Sequence, residues 1–377
     1  MRQSAEEVYP AFRRCTLVAF QVAIDYRPAL LGHSGIARVA RELARALAAR
    51  AGIDLLLFGH CLARAVRGEK IPEGARLRRL PIPGRLQPLL ARIGLGADRL
   101  CGSPAVFHWI DYVHPPVNRA RTVLTIHDLA FARDPNWHGA SAASLLERTR
   151  AAASEASAVV VPTQATRLDV ERWIPGARTV RVIPFAADHA PRAGAGPHPL
   201  RGETYVLAVG TIEPRKNHIA LLEAWRRLPS PRPRLVVVGQ RGWCCEDAEQ
   251  ALLEAEREGA TWLRGAGDRE LFRLMRHAAV LVYPSLWEGF GFPPLEAMAL
   301  GVPVVAGDCP ALREVLEDGA LFADPRSPDS IAAALDLLLR DPGERRAAAE
   351  RGPRRAGCFS WARCAEAHED LYREIAP

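Results

Sequence analysis

Short apolar runs alternate with amphipathic helical segments along almost the whole chain. The run Ile53–Phe58 has the length and composition of a buried strand, whereas Ile36–Arg50 repeats its apolar residues at helical spacing. Such alternation is typical of parallel sheets covered by helices on both faces. The predicted strands are Cys15–Ile24, Ile53–Phe58, Ala105–Ile110, Thr122–Ile126, Ala158–Val161, Val180–Ile183, Tyr205–Val209, Arg234–Val238, Thr261–Leu263 and Ala279–Tyr283, with further apolar runs at Val302–Ala306, Leu312–Leu316 and Ala320–Ala323. The main predicted helices are Ile36–Arg50, Leu145–Glu155, Gln164–Trp173, Ala248–Glu258, a segment up to His277, a segment from Ser327 or Ser330 to Arg340, and a last one ending at Ile375.

One stretch, Ala187–Glu203, interrupts this alternation. It is rich in Pro, Gly and Ala and has little periodicity, which favours a linker. A chain of 377 residues is long for one domain and comfortable for two. We therefore predict a first α/β domain at residues 1–190, a linker at 191–203, a second α/β domain at 204–356 and a terminal helix within 357–377.

The composition narrows the class of protein. A content of 49% hydrophobic and 25% charged residues is ordinary for a globular domain. No apolar run approaches the roughly 18 residues of a membrane span, and residues 1–14 mix Arg and Glu without the apolar core of a secretory signal. The eight cysteines have no Cys-x-x-Cys spacing, so we expect them to be reduced. These features predict a cytoplasmic protein.

The positive charge is concentrated between Cys61 and Leu100. This region holds nine basic and three acidic residues, interleaved with Leu and Ile, within a chain of net charge +7. Such a region suits an anionic membrane or an acidic acceptor, although a solvated basic loop in an Arg-rich protein explains it equally well. Its four prolines argue against one continuous amphipathic helix. The lack of interleaved aromatic residues argues against nucleic-acid binding.

The most distinctive candidate chemistry lies in Ser285–Gly301, which comes directly after the predicted strand Ala279–Tyr283. The carboxyl end of a strand is where ligands bind in open parallel sheets. Glu288 and Glu296 are separated by seven residues that include Gly289, Gly291 and a Pro-Pro pair. Glycine lets backbone N–H groups approach an anion, and carboxylates accept hydrogen bonds from hydroxyls. Taken alone, the pattern fits a solvated loop equally well, with Glu296 only favouring its own helix N-terminus.

A second candidate is the loop Gly210–Asn217, which opens a helix after the strand Tyr205–Val209. It carries Arg215 and Lys216, and Lys216 is one of only two lysines among the 50 basic residues. Two cations beside a helix N-terminus suit a diphosphate, whereas as plain surface charge they would oppose the helix dipole. The scarcity of lysine favours a specific role for Lys216 as a compact charge.

Two weaker candidates lie in the first half of the chain. His127 comes after the strand Thr122–Ile126 and can donate to a phosphate or a sugar hydroxyl there, although a lone His is more often structural, and Asp128 beside it can simply cap the next segment. Gly35 belongs to a Gly-x-x-Gly turn between the first strand and the first long helix. By itself this turn is weak evidence of phosphate binding.

The stretch Ser285–Gly301 resembles the acidic-Gly-Phe-Gly-x-Pro-x-x-Glu-Ala signature of the family 4 retaining glycosyltransferases, and the adjoining Val302-Pro-Val-Val305 is also in register. The resemblance extends from about Leu17 to Tyr372 and is strongest in the second half. It implies the GT-B fold, in which two Rossmann-like, doubly wound α/β domains face a cleft. The acceptor would then bind to residues 1–190 and the nucleotide sugar to residues 204–356, and the terminal helix would cross back to the first domain.

The same resemblance implies residue roles. Glu296 would hold the ribose hydroxyls, Glu288 the donor sugar, and Arg215 with Lys216 the diphosphate, while His127 lies in Thr125-Ile-His-Asp-Leu-Ala130, a stretch that contacts the donor in the family. The chain departs from the family pattern at Thr211, where many members carry an Arg, and at Pro184-Phe-Ala-Ala-Asp188, which lacks the usual Gly. The predicted catalytic residues are His127, Arg215, Lys216 and Glu288, and the predicted donor-binding residues are Gly35, Gly210, Thr211, Phe290, Gly291, Phe292 and Glu296.

The implied function is transfer of a hexose, with retention at the anomeric carbon, from a nucleotide diphosphate sugar to a saccharide or lipid-linked saccharide. No metal or other cofactor is expected, which fits the absence of Asp-x-Asp from the sequence. The loop Gly210–Asn217 together with Arg241-Gly-Trp243 is similar to mannosyltransferases of surface-polysaccharide assembly, which favours GDP-mannose over a UDP-sugar. The alternatives are a nucleotide-sugar 2-epimerase of the same fold and a catalytically silent sugar-binding or scaffold protein. Contact with the inner face of the plasma membrane is left open by the basic region.

Overall fold

The computed structural model describes residues 20–32, 34–61, 71–190 and 196–376. Within them the chain forms two sheets of parallel strands. Residues 15–19 of the predicted first strand lie outside the described residues, and the strand begins at Phe20. The first sheet contains β1 (Phe20–Asp25), β2 (Ile53–His60), β3 (Ala75–Leu80), β4 (Val106–Trp109), β5 (Arg121–Thr125), β6 (Ala158–Val161) and β7 (Val180–Val182). The second contains β8 (Tyr205–Val209), β9 (Arg234–Val238), β10 (Thr261–Leu263), β11 (Val280–Tyr283), β12 (Val304–Gly307) and β13 (Leu321–Ala323).

Both sheets have the Rossmann strand order. The first runs β3-β2-β1-β4-β5-β6-β7 and the second β10-β9-β8-β11-β12-β13. Each half starts at a central strand, so that Val22 pairs with Leu55 of β2 on one side and with Val106 of β4 on the other. Strands that are covered on both faces must be apolar at successive positions, which explains the uninterrupted apolar runs in the sequence. The predicted fold of two doubly wound α/β domains is confirmed; the exact domain boundaries stay a prediction.

Helices cover both sheets, and several of them begin at a Ser, Thr or Asp side chain that caps the helix N-terminus. Ser34 accepts a hydrogen bond from the N–H of Ala37, and Ser327, rather than Ser330, caps the helix that reaches Arg340. The helices of the first half are α1 (Arg27–Leu31), α2 (Gly35–Ala48), α3 (Gln87–Arg92), α4 (Ala97–Cys101), α5 (Ala130–Arg133), α6 (Ala142–Glu155) and α7 (Gln164–Trp173). Those of the second half are α8 (His218–Arg226), α9 (Glu246–Arg257), α10 (Asp268–His277), α11 (Phe292–Ala299), α12 (Pro310–Leu316), α13 (Pro328–Arg340), α14 (Pro342–Ala356) and α15 (Trp361–Ile375).

The last helix, α15, leaves the second sheet and packs on α2 of the first half. Tyr372 Oη lies 2.7 Å from Nδ1 of the buried His108 on β4, and Glu369 forms an ion pair with Arg50. Apolar side chains of α15 join a buried core that contains residues of both sheets. The terminal helix therefore contacts both halves of the chain.

The structure differs from the sequence pattern in three places. Part of the basic region forms the edge strand β3 and the helices α3 and α4, while residues 62–70 lie outside the described residues. The run Leu312–Leu316 belongs to helix α12, and α14 occupies a stretch that the pattern left unassigned, because it has few large apolar residues. Part of the predicted linker, residues 191–195, is also outside the described residues. None of the described helices combines the length and the apolar character required to cross a membrane.

Candidate active site

The loops after β5, β8 and β11 meet where the carboxyl ends of the two sheets face each other. Gly289 lies against the first half so closely that a Cβ there would overlap the carbonyl oxygen of His127. Its own carbonyl accepts a hydrogen bond from Thr163 Oγ1 at 2.9 Å. The sequence predicts that Gly289 lets a ligand approach the backbone closely. In the structure, the missing side chain instead lets the backbone of the first half approach it. Gly291 has a φ of 96° at the N-terminus of α11, a conformation that favours glycine.

Glu288 and Lys216 form the centre of the site. Lys216 Nζ lies 2.5 Å from Oε1 of Glu288 and 2.6 Å from Oη of Tyr283, and Arg215 Nη1 donates to Oε2 of Glu288 at 3.0 Å. Burial alone would raise the pKa of Glu288, but the charges of Lys216 and Arg215 outweigh it and lower the pKa to about 2. The fold therefore brings together two cations and one carboxylate that the sequence predicted to act on the same donor.

Arg215 contacts three carboxylates. Glu213 lies 2.9 Å away, Glu288 3.0 Å and Asp128, which comes from the first half, 3.9 Å. Burial raises the pKa of Glu213 from its ordinary value. These carboxylates balance the buried positive charge of Arg215. A phosphate can replace them as a partner of the guanidinium. A diphosphate that binds here would neutralise the same cations.

Glu296 lies in the first turns of α11 and is fully buried. Its Oε1 accepts from the guanidinium of Arg38 on α2 and lies 2.9 Å from Nε2 of His189, whereas its Oε2 is buried and has no hydrogen-bond partner among the described residues. Burial would raise the pKa of Glu296, but Arg38 and His189 overcome this and lower it to about 2. One oxygen of an ionised carboxylate is therefore left to accept a hydroxyl.

The ring of His189 has a defined tautomer. Trp361 Nε1, at the start of α15, donates to Nδ1 of His189 at 3.1 Å, so that the proton resides on Nε2 and faces Glu296. Arg38 also contacts Asp268 at 2.6 Å. Glu296 is thus held by a helix of the first half, by the segment between the halves and, through His189, by the terminal helix.

His127 lies beside this site. Its Nε2 donates to the carbonyl of Ile110 at 2.6 Å, and burial lowers its pKa, so that the imidazole is neutral at pH 7. Asp128 Oδ1 accepts from the N–H of Ala130, the first residue of α5, but Leu129 is the N-cap of that helix and Asp128 does not cap it. The backbone of His127 approaches the loop of Gly289 closely, which places this residue at the contact between the halves.

The remaining predicted residues line the two sides of the site. Gly210 lies next to the side-chain stem of Lys216, Thr211 packs against Gly242, and Gly35 lies next to the ring of Phe292. Phe290 and Phe292 pack with Phe185 at ring-centroid distances of 5.4 and 5.6 Å. Phe185 belongs to Pro184-Phe-Ala-Ala-Asp188, the stretch that departs from the family pattern, and its ring also stacks on Trp361. The departure from the family pattern thus builds an aromatic cluster at the junction of the halves.

Three partners of the predicted residues have no clear signal in the sequence: Arg38, His189 and Tyr283. Arg38 and Glu296 are 258 positions apart, and nothing in the local pattern connects them. Glu213, in contrast, lies two residues before Arg215 in a loop that the sequence already marks. Among the described residues there is no group of three His, Cys, Asp or Glu side chains that could hold a metal ion.

Comparisons with known proteins agree with this geometry. Residues 34–186 match the glycosyl transferase 4-like domain, and residues 197–355 match the glycosyl transferases group 1. The chain is 31% identical to the O-antigen chain mannosyltransferase B of Escherichia coli over 90% of its own length and 96% of that protein. It is 37% identical to the O-antigen chain mannosyltransferase RfbU of Salmonella typhimurium over 37% of its length and 40% of that protein.

Solved structures share the fold. A sucrose-phosphate synthase from Thermosynechococcus elongatus superposes with a TM-score of 0.74 at 22% identity, covering 94% of this chain and 99% of that one. HepE from Anabaena in complex with UDP and glucose gives a TM-score of 0.73 at 18% identity, covering 94% and 100%. These comparisons give no support to the epimerase alternative. The chain belongs to the family 4 glycosyltransferases with the GT-B fold, and it is a hexosyltransferase.

Proposed function

We propose that the protein transfers mannose from GDP-mannose, with retention at the anomeric carbon, to a saccharide or lipid-linked saccharide acceptor. The observation that carries this proposal is the pair of buried sub-sites on the second half. Arg215 and Lys216 provide two cations for a diphosphate, and Glu296 provides one ionised oxygen that has no partner among the described residues and can accept a ribose hydroxyl.

Donor binding exchanges partners within the first of these sub-sites. The diphosphate replaces Glu288 as the partner of Lys216 and Arg215, which frees Glu288 to accept hydrogen bonds from the hydroxyls of the sugar. Backbone N–H groups at the N-terminus of α11 add to the stabilisation of the phosphates. Oε2 of Glu296 accepts from the ribose. His127, which is neutral, orients the sugar from the opposite half.

We propose a front-face chemical step, as the resemblance to the family implies. The bond between the anomeric carbon and the diphosphate oxygen breaks, and the acceptor oxygen bonds to that carbon on the same face. The acceptor proton passes to the departing phosphate oxygen, and the products are the glycosylated acceptor and a nucleoside diphosphate. Arg215 and Lys216 stabilise the charge that develops on the leaving group, so we propose that no metal is needed. Turnover that falls on adding EDTA and returns with Mg²⁺ would contradict this.

The choice of mannose and GDP rests on the relatives that are named as mannosyltransferases. A UDP-sugar is the second candidate, since a protein of the same fold is described with UDP and glucose. We also propose that the enzyme works in the cytoplasm, at the inner face of the plasma membrane, where a lipid-linked acceptor would be presented.

The test is turnover with a panel of GDP-mannose, UDP-glucose and ADP-glucose, read as release of the nucleoside diphosphate. We expect GDP-mannose to be consumed, Lys216→Ala to lower turnover by roughly 10²- to 10³-fold, and the surface variant Arg346→Ala to leave it unchanged. The anomeric configuration of the product, read by NMR, tests retention. Turnover with a UDP-sugar and not with GDP-mannose would show that the donor is a UDP-sugar. Binding of nucleotides without any turnover on any acceptor would favour the silent sugar-binding alternative.

A further inference from the structure

The basic region of the first half presents an amphipathic surface to solvent. Between Glu73 and Asp98 the chain has five arginines and no acidic residue. Of eleven large hydrophobic side chains that are exposed in the described part of the chain, four lie within ten residues, around helix α3. We call this the Arg/Leu surface; its members are Arg85, Leu86, Leu89, Arg92, Ile93 and Leu95.

These side chains lie on one side of a short helical segment. Leu86, Leu89 and Ile93 are spaced by three and four residues, which places them on one face of a helix. They are 44%, 59% and 69% exposed, whereas Gln87, on the opposite face, is buried against the protein. Arg85 and Arg92 lie beside this apolar face, and neither has an ion-pair partner within the ranges that the structure describes. Apolar side chains rimmed by arginine are therefore presented outward.

The segment is fixed in place, so this is not a free solvated loop. Asn118 Nδ2 donates to the carbonyl of Ala91 at 3.0 Å, and the N–H of Ala97 donates to the carbonyl of Pro116 at 2.8 Å. The buried carboxylate of Asp98 accepts from the backbone N–H groups of Asn118, Arg119 and Ala120 at 2.8 to 3.1 Å. Hydrogen bonds thus hold the segment of the Arg/Leu surface against residues 115–120, which follow β4 in the chain.

The loop that contains residues 115–120 also reaches the cleft. The loop that reaches residues 115–120 begins at Asp111 and Tyr112, directly after β4. Tyr112 Oη donates to the carbonyl of Asp128 at 2.7 Å, and Asp128 faces Arg215 of the second half. One loop therefore runs from the cleft to these contacts: it begins at the carboxyl end of β4, and its residues 118–120 lie at the amino end of β5, where Arg121 pairs with Val106. A partner bound to the Arg/Leu surface is thus held by the first half, which is the half proposed to bind the acceptor.

We propose that the Arg/Leu surface binds an anionic lipid bilayer and thereby holds the first half at the membrane that carries a lipid-linked acceptor; the second clause rests on the proposed function. Exposed Leu and Ile enter the interface, and Arg85 and Arg92 contact lipid phosphates. A second copy of the chain fits poorly, because a two-fold contact would place arginines opposite arginines with no acidic residue between them.

The test is co-sedimentation of the full-length protein with vesicles of phosphatidylcholine alone or of phosphatidylcholine mixed with phosphatidylglycerol. We expect binding only to the anionic vesicles, with an affinity that falls as salt is added. The double variant Arg85→Gln/Arg92→Gln should weaken binding roughly 25-fold, and Leu89→Ser/Ile93→Ser should abolish it. Matched controls on other surfaces are Leu168→Ser, which replaces a side chain that is 62% exposed on α7, and Arg346→Gln on α14.

The rise in melting temperature with GDP checks that each variant is folded and separates the two proposals. Loss of vesicle binding in the two double variants, with binding kept in both controls and the GDP response unchanged, supports the lipid surface. Three outcomes would overturn the lipid surface, whatever the donor proves to be. They are absence of binding by the wild type, equal binding to neutral vesicles, and binding that survives in both double variants. A wild type that binds anionic vesicles but shows no response to any nucleotide would leave the lipid surface standing and refute the donor site.

Discussion

Glu288 and Glu296 are eight positions apart in the sequence, and both are buried with a pKa of about 2, yet their surroundings differ. Glu288 is paired with Lys216 and Arg215, which come from the same half of the molecule. Glu296 is paired with Arg38 of the first half and with His189 of the segment between the halves. Glu288 therefore belongs to a binding site built within one half. Glu296, at the proposed ribose position, is instead held by residues from both sides of the contact between the halves.

The largest expected effect is on stability, from the partner of Glu296. Arg38→Ala leaves a fully buried carboxylate without its guanidinium, which typically costs about 3–5 kcal/mol of the free energy of unfolding. Chemical denaturation of the purified protein measures this. Arg38→Met combined with Glu296→Gln should recover most of the loss, because no buried charge is then left alone. If Arg38→Ala is as stable as the wild type, the contact between Arg38 and Glu296 does not contribute to the free energy of unfolding.

Lys216→Ala should change catalysis more than stability, because Glu288 keeps Arg215 as a partner. Loss of one cation that stabilises the leaving group should lower kcat by roughly 10²- to 10³-fold. Lys216→Arg should restore only part of the rate, since a planar guanidinium does not reproduce a compact ammonium. Steady-state kinetics with the preferred donor measures both, and a kcat within a few-fold of the wild type would contradict the assignment.

His189→Ala should weaken donor binding about tenfold, because the hydrogen bond that orients Glu296 is lost. A Gln at this position can still donate to Glu296 while accepting from Trp361, so His189→Gln should recover affinity for the nucleotide. The expected signature is a raised KM for the donor with kcat almost unchanged. A lower kcat at unchanged KM would instead mean that His189 acts on the chemical step.

The acid sensitivity of the protein should reflect both carboxylates. The folded-state pKa of each lies near 2, below the ordinary value of 4.5, so the stability each contributes is fully present above about pH 4.5 and is lost as the pH falls towards 2. The double variant Arg38→Met/Glu296→Gln should therefore show a shallower loss of melting temperature across this range than the wild type. Equal slopes would show that the pair at Glu296 contributes nothing to acid stability.

The sequence predicts the surroundings of Glu288 far better than those of Glu296. Glu288, Glu296 and Lys216 stand at strand ends and helix starts, and the spacing of the two Glu residues and the rarity of lysine mark them. Arg38 is one of three arginines on the amphipathic helix α2, and His189 comes after a segment that departs from the family pattern. Their roles depend on how the two halves pack, which local periodicity does not encode.

The same limit applies to the basic region. Its charge and its apolar residues are visible in the sequence, but the prolines and the lack of a long helical repeat suggest a loop. The structure instead pairs β3 with β2. It fixes α3 and α4 through hydrogen bonds of Ala91 and Asp98 to residues 118–120, a loop twenty or more residues further along the chain.

The most direct test of the central claim compares binding of guanosine and GDP, by titration calorimetry, to the wild type, to Lys216→Ala and to Glu296→Gln. If the diphosphate lies on Lys216 and the ribose on Glu296, Lys216→Ala weakens only GDP, whereas Glu296→Gln weakens both ligands by the same factor. The account is contradicted if Lys216→Ala weakens guanosine as much as GDP, or if Glu296→Gln leaves guanosine binding unchanged.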